Sequence, residues 1–207
     1  MESSYFTIIL GVLLLIYIIY NMIYIYSEIS YVVSDIDNKT YMIRRGHHRT
    51  ESFYKESANT LALINQRMEK LIYYLEKNYS LDLSKNYFIK KLKENYNPYM
   101  ISEAAVDPRY TTYTVDKQNM HICLRTRDTE EKVYDLNTLM YVVLHESAHL
   151  ANYSPEGYAI IGHGTEFRMI FKFLVENSIK INIYNLVDYK NVPQEYCNIK
   201  INSQIAE

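Results

Sequence analysis

The strongest constraint on the fold is an uncharged segment near the start of the chain, from Tyr5 to Tyr26, which reads YFTIILGVLLLIYIIYNMIYIY. At about 1.5 Å per residue, a helix of this length covers about 33 Å, enough to cross a hydrocarbon core of about 30 Å. A helix of a soluble core would normally carry a polar face, and this segment has none. We therefore predict a transmembrane helix, with Phe6, Tyr20 and Tyr24 among the aromatic anchors at its two ends.

A cleaved signal peptide is the alternative interpretation of this segment. The preceding residues Met1–Ser4 contain no basic side chain, and the apolar run exceeds the usual signal core of about 7–15 residues. No pattern of small residues typical of a cleavage site follows it. We therefore expect residues 1–30 to form a retained single-pass anchor in a lipid bilayer, and residues 31–207 to form one domain.

Two features predict on which side of the membrane the domain lies. Lys39, Arg44 and Arg45 follow the apolar segment closely, whereas no lysine or arginine precedes it. By the positive-inside rule, this places the domain in the cytosol. The two cysteines, Cys123 and Cys197, are far apart in sequence, and we expect them to be free buried thiols in a reducing compartment.

The rest of the chain alternates strand-like and helical patterns, which predicts an α+β domain. The formal net charge is −2, and we expect no specific nucleic-acid partner. A basic loop, with His47 and His48 in it, precedes the first helical pattern. The predicted elements are a hairpin of 31–34 with 40–44, helices at 51–78 and 83–96, a hairpin of 110–116 with 120–125, and helices at 135–152 and 165–177.

Four residues in one region predict a zinc site. His145 and His149 in the sequence HESAH lie four positions apart, so on a helix both imidazoles project from one face and can bind one zinc ion at about 2.0–2.1 Å. Glu146 is rotated by about 100° from His145, which suits a general base acting on a zinc-bound water. A third histidine, His163, follows between two glycines.

Alternatives to a catalytic zinc ion follow from the same residues. A surface helix with chance histidines is one, although an apolar run directly precedes the motif as a buried helix requires. A structural zinc site is another, but it would need a fourth protein ligand, and neither cysteine is close in sequence. We therefore favour a catalytic zinc ion with one open coordination position over a structural zinc ion with four protein ligands.

The motif HESAH followed by GHGTEF resembles the WLM/SprT-like zincin metallopeptidases, and most closely the membrane-anchored WLM-domain proteins of large DNA viruses. The longer spacer 152–161 and Ser147 depart from the usual pattern. Further segments that carry the resemblance are Asn97-Pro98, Ile101-Ser102-Glu103, Tyr113-Thr114-Val115, Leu139-Met140-Tyr141-Val142, Ile183-Tyr184, Val187-Asp188-Tyr189 and Tyr196-Cys197.

This resemblance implies a small zincin fold of helices on a short mixed sheet. It implies one zinc ion bound by His145, His149 and His163, with Glu146 as the catalytic base, and an edge strand at Met120–Arg125 that pairs with an extended protein or peptide substrate. The expected function is a membrane-anchored zinc metalloprotease. The alternatives are a non-catalytic membrane or virion protein stabilised by zinc and a zinc hydrolase acting on another kind of bond. The candidate oxyanion donors are Tyr158, Tyr184 and Tyr189.

Overall fold

The structure is a computed structural model that describes residues 2–46, 50–105, 111–115, 117 and 119–203, and the side chains of 2–4 and 24–27 are not described. Three sequence predictions therefore lie outside the described residues. They are the basic loop at 47–49, both ends of the predicted strand 110–116, and the anchoring roles of the tyrosine side chains at 24 and 26.

The N-terminal segment forms helix α1, Glu2–Ser27. Its part from Tyr5 to Ile23 is long and apolar enough to cross a membrane, and no part of that window is buried by the rest of the chain. Apolar side chains of this size are stable only when they are removed from water. The prediction of an N-terminal helix with the length and composition of a membrane span is thus confirmed.

A β-hairpin follows α1 after a single residue. Strands β1, Ile29–Val33, and β2, Thr40–Arg44, pair antiparallel as the sequence predicted. The turn is closed by a backbone hydrogen bond from Ser34 N to Lys39 O (2.9 Å), and Arg45 N donates to Glu28 O (2.8 Å) at the other end. This short, hydrogen-bonded connection holds the domain next to the end of α1.

Four helices build most of the core, at the places the apolar periodicity predicted. Asp82 and Asp135 cap two of them by accepting backbone N–H groups with their carboxylates. The buried side chains of these helices, such as Leu61, Leu92 and Leu144, belong to one continuous apolar cluster. The helices are α2, Glu51–Tyr79; α3, Leu83–Asn95; α4, Leu136–Ala151; and α5, Thr165–Lys180.

The central sheet has three short strands in the order β3-β5-β4. Strands β4, Tyr113–Val115, and β5, Asn119–Ile122, form the predicted hairpin. Strand β3, Ile101–Glu103, pairs with β5 in parallel and was not predicted. The expectation that Met120–Arg125 forms the edge strand is therefore wrong, since β5 has a neighbour on both sides and the edge strands are β3 and β4.

The two cysteines form a disulfide, which contradicts the prediction of free thiols. Cys123 directly follows β5, and Cys197 lies in the turn between strands β6, Gln194–Tyr196, and β7, Ile199–Ile201. The prediction was wrong because it relied on the separation of the two cysteines along the chain. Folding brings their α-carbons to within 6.4 Å of each other. The argument for a reducing compartment loses its support.

A buried ion cluster joins the β1–β2 hairpin to the central sheet. Arg125 Nε donates to Glu103 Oε1 (2.6 Å), and Arg44 Nε lies 3.5 Å from the same oxygen. Arg44 also approaches Glu131 (3.6 Å). Buried charges are stable only when paired, so this cluster holds the hairpin against the sheet in one arrangement.

The described part of the chain is thus a mixed α/β domain with small sheets, preceded by one apolar helix.

Candidate metal centre

Helix α4 positions two of the predicted ligands. His145 and His149 lie one turn apart, and their ring centroids are 5.1 Å from each other. Apolar side chains of the same helix, among them Leu139 and Val143, are fully buried in the core. The packing of this apolar face against α3 and α5 fixes the rotation of α4, so both imidazoles emerge at the same surface.

The loop after α4 supplies the third imidazole. Gly162 has a φ of +87°, a conformation that favours glycine, and it turns the chain just before His163. The Nε2 atom of His163 lies 3.0 Å from Nε2 of His149 and 3.0 Å from Nε2 of His145. All three nitrogens lie within 4.8 Å of one another. The structure thus brings together all three residues that the sequence predicted as ligands.

Phe167 of α5 packs against the three imidazoles at once. Its ring centroid lies 4.9 Å from His145, 4.3 Å from His149 and 4.6 Å from His163. Phe167 is itself buried, so it forms a rigid wall that limits how the histidine rings can rotate. The sequence predicted only a helix at 165–177 and did not indicate this contact of Phe167.

Burial keeps the α4 histidines in the neutral form. It lowers the pKa of His145 to about 3, with repulsion from His149 and His163 as further causes. Burial also lowers the pKa of His149 to about 4, assisted by His163 and Lys117. Both rings are therefore neutral at pH 7, which is the form that binds a metal ion.

Glu146 lies beside the histidines and is buried. Burial raises the pKa of its carboxyl group to about 7, and a hydrogen bond from Thr114 opposes this shift. The Oγ1 atom of Thr114, on edge strand β4, donates to Oε2 of Glu146 at 2.8 Å. A carboxyl group with a pKa near neutrality can both accept and release a proton, as a general base requires. The sequence placed Thr114 in a segment that carries the resemblance but indicated no contact with Glu146.

The site opens into a cavity of about 890 Å³. None of the tyrosines proposed as oxyanion donors lines the cavity. Tyr158 lies outside it and is 74% exposed, and Tyr184 and Tyr189 are buried against Tyr141. A different tyrosine, Tyr196 of β6, does line the cavity. The walls comprise the helical residues Tyr141, Val142, His145, Glu146, His149, Phe167, Arg168 and Phe171, the strand and turn residues Thr111–Thr114 and Lys117, the loop Ile160–His163, and the C-terminal residues Tyr196 and Ile199–Ser203.

Tyr196 is held in the wall by its neighbours. Its hydroxyl hydrogen-bonds to Thr112 Oγ1 (2.5 Å), and Thr112 in turn accepts the backbone N–H of Cys123 (3.1 Å). The disulfide at Cys197 anchors the adjacent residue. His121 of β5 hydrogen-bonds to Ser102 through its Nδ1 atom (2.8 Å) and is not part of the histidine cluster.

Comparison with known proteins finds relatives in viruses. "Uncharacterized protein R325" of Acanthamoeba polyphaga mimivirus is 36% identical over 182 residues, covering 87% of this chain and 86% of the relative. "Uncharacterized protein 136R" of Invertebrate iridescent virus 6 is 23% identical over 163 residues, 78% of this chain and 84% of the relative. "Uncharacterized protein 042R" of Invertebrate iridescent virus 3 is 37% identical over 89 residues, 42% of this chain and 50% of the relative. No protein-family profile and no solved structure matches the chain.

Proposed function

This chain belongs to the family of viral proteins that includes protein R325 of Acanthamoeba polyphaga mimivirus, and we propose that it is a membrane-anchored zinc metallopeptidase with a zincin-like domain. The observation that carries the proposal is the convergence of three imidazole nitrogens beside the carboxylate of Glu146, at the wall of an open cavity. Zinc peptidases of the HExxH type use this set of groups.

The donor set fits a zinc ion. Three nitrogens bound to zinc at about 2.0–2.1 Å in a tetrahedron lie about 3.4 Å apart. The Nε2 atom of His163 is 3.0 Å from that of His145 and 3.0 Å from that of His149, so small rotations of the rings would reach this spacing. Within the described residues, this ligand cluster contains three histidines and no fourth ligand, which supports an open catalytic position over a closed structural one. A bound zinc ion would polarise the scissile carbonyl and acidify water.

The protein's own contribution to hydrolysis is proton transfer by Glu146. Its carboxylate takes a proton from the attacking water and returns it to the nitrogen of the leaving amine. Thr114 donates to Oε2 of Glu146, so the hydrogen bond favours the ionised form and leaves Oε1 to act as the base. Burial of Glu146 acts in the opposite direction and raises the pKa of its carboxyl group to about 7.

The position of edge strand β4 also supports a peptide as the substrate. Its outer edge has no strand partner in the described part of the chain, and residues 113 and 114 line the cavity beside Glu146. An extended peptide can pair with such an edge through its backbone, which places a peptide bond next to the catalytic groups.

The test is a comparison of the full-length wild-type protein with Glu146→Gln and His149→Ala, each in a non-ionic detergent. A library of quenched fluorescent peptides measures turnover, and mass spectrometry of the products identifies the bond that is cut. We expect Glu146→Gln to retain zinc and lose at least about 100-fold in kcat/KM. His149→Ala should lose both zinc and turnover, and a chelator should abolish turnover by the wild type.

Three other outcomes would contradict part or all of this proposal. Zinc at one ion per chain, with no turnover of any peptide by the wild type, would indicate a non-catalytic membrane or virion protein. Turnover that survives Glu146→Gln unchanged would remove Glu146 from the mechanism. Cleavage of a bond other than an amide would identify another class of zinc hydrolase.

A further inference from the structure

The charges around the cavity are unbalanced. Three cationic side chains line it, Lys117, Arg168 and Lys200, whereas Glu146 is its single carboxylate among the described residues. The chain as a whole has a formal charge of −2, so this local excess of positive charge is not a property of the composition.

The three cations approach the cavity from different elements. Lys117 lies in the turn between β4 and β5, Arg168 in the first turn of α5, and Lys200 in β7. They therefore come from three separate segments that line the cavity and do not form a stripe on one helix. Charges of one sign around a concave, low-dielectric site focus their field into it and raise the local concentration of ions of the opposite sign.

Lys117 forms no ion pair within 4.0 Å with a carboxylate of the described residues. The Nζ atom of Lys117 donates to the backbone oxygen of Asn152 (3.0 Å) and lies 4.0 Å from the ring centroid of Tyr153, both uncharged partners. Its ammonium group is thereby held in place. A fixed, partly buried cation with neutral partners is suited to bind an anionic ligand.

The other two cations are exposed at the rim. Arg168 and Lys200 form no ion pair within 4.0 Å with any acid in the described ranges. Glu195 lies opposite Lys200 in the β6–β7 ladder but does not line the cavity. Glu166, on the same helix as Arg168, accepts a hydrogen bond from the hydroxyl of Tyr87. Both rim cations are thus available to a substrate.

From this distribution of charge we infer that the cavity selects acidic peptide segments, with aspartate or glutamate side chains near the cleaved bond contacting Lys117, Arg168 and Lys200. This inference rests on the proposed peptidase function and adds the substrate class. Apolar walls, formed by side chains such as Phe171 and Ile199, bind the rest of the peptide. Attraction between rim charges and an acidic segment acts mainly on the association rate, so it should weaken with salt.

The test uses three fluorescein-labelled peptides of equal length that differ only in carrying four glutamates, four glutamines or four lysines. Fluorescence anisotropy measures their binding to the full-length, zinc-loaded Glu146→Gln protein, which does not consume the probe. We expect the glutamate peptide to bind at least about 10-fold more tightly than the glutamine peptide at low salt, and the lysine peptide to bind most weakly. This preference should fall several-fold between about 50 and 500 mM salt.

Charge reversal identifies the residues responsible. Arg168→Glu and Lys200→Glu should each lower the glutamate-to-glutamine affinity ratio about 10-fold. Lys77→Glu is the matched control, because it makes the same change in net charge at an exposed position of α2 outside the cavity. Zinc content and circular dichroism of each variant verify that the fold is retained.

The outcomes separate this inference from the proposed function. Equal binding of the glutamate and glutamine peptides, or an equal loss of preference in Lys77→Glu, overturns the inference even if the wild type cleaves peptides. The wild type could instead cleave none of the peptides while the preference for glutamate still depends on Arg168 and Lys200. That result would support a binding site for acidic segments and contradict the proposed peptidase function.

Discussion

Removing the disulfide should destabilise the domain strongly. The change is the double substitution Cys123→Ala with Cys197→Ala, which leaves no unpaired thiol. The bond closes a loop with a sequence separation of 74 residues. In the chain-entropy description, closing a loop of that size lowers the conformational entropy of the unfolded chain by about 15 cal/mol/K. This stabilises the folded state by about 4 kcal/mol at 25 °C. This is a large part of the free energy of unfolding of a typical domain, about 5–15 kcal/mol.

The position of the disulfide predicts which part of the domain loses stability first when the bond is removed. Strands β6 and β7 pair only with each other among the described strands, so the disulfide is the covalent link between this hairpin and β5 of the central sheet. Residues of β7 form one wall of the cavity. Without the bond, we expect amide hydrogen exchange at 194–203 to accelerate before the rest of the domain opens.

Urea unfolding of the full-length protein in a non-ionic detergent measures the effect. The chain has 23 tyrosines and no tryptophan, so tyrosine fluorescence reports the transition. With a slope of about 2 kcal/mol per molar urea, the midpoint should fall by about 2 M. Wild-type protein treated with a reductant should behave like the double variant. A loss below about 1 kcal/mol, in a protein whose thiols are shown by alkylation to be paired, would refute the reasoning.

Three further predictions concern other parts of the chain. Thr114→Val removes a hydrogen bond that lowers the pKa of Glu146, so that pKa should rise above about 7. The acidic limb of the pH profile of kcat/KM should then move to higher pH while the zinc content stays unchanged. Thr114→Ser, which keeps the hydroxyl group, should restore the profile. Gly46→Ala should cost about 1–3 kcal/mol in urea unfolding, since the added Cβ would collide with Oε2 of the buried Glu131 carboxylate. Deletion of residues 2–27 should release the protein from membranes in a carbonate extraction, and a deletion variant that stays in the pellet would argue against α1 as the anchor.

The disulfide also bears on the compartment of the domain. Disulfides persist mainly in oxidising environments, whereas the basic residues that follow α1 predict the cytosolic side. Gel-shift alkylation of Cys123 and Cys197 in intact cells distinguishes these two predictions. A paired state there would favour the oxidising side.

Local patterns in the sequence were sufficient for the elements that depend on neighbours along the chain. The apolar segment 5–26, the periodicity of 51–78 and the capping aspartate at Asp135 correspond to α1, α2 and α4. The spacing of His145 and His149 placed both on one helical face because a helix fixes the geometry of residues four positions apart.

Contacts between distant segments were decided only by the tertiary structure. The parallel pairing of β3 with β5, the edge position of β4 and the disulfide of Cys123 with Cys197 all join residues whose proximity no local pattern encodes. The same holds for Thr114 beside Glu146 and for the three cationic side chains that line the cavity. The sequence by itself determined which groups could bind a metal ion; the packing of helices and strands decided which other side chains surround them, because those contacts depend on the fold of the whole domain.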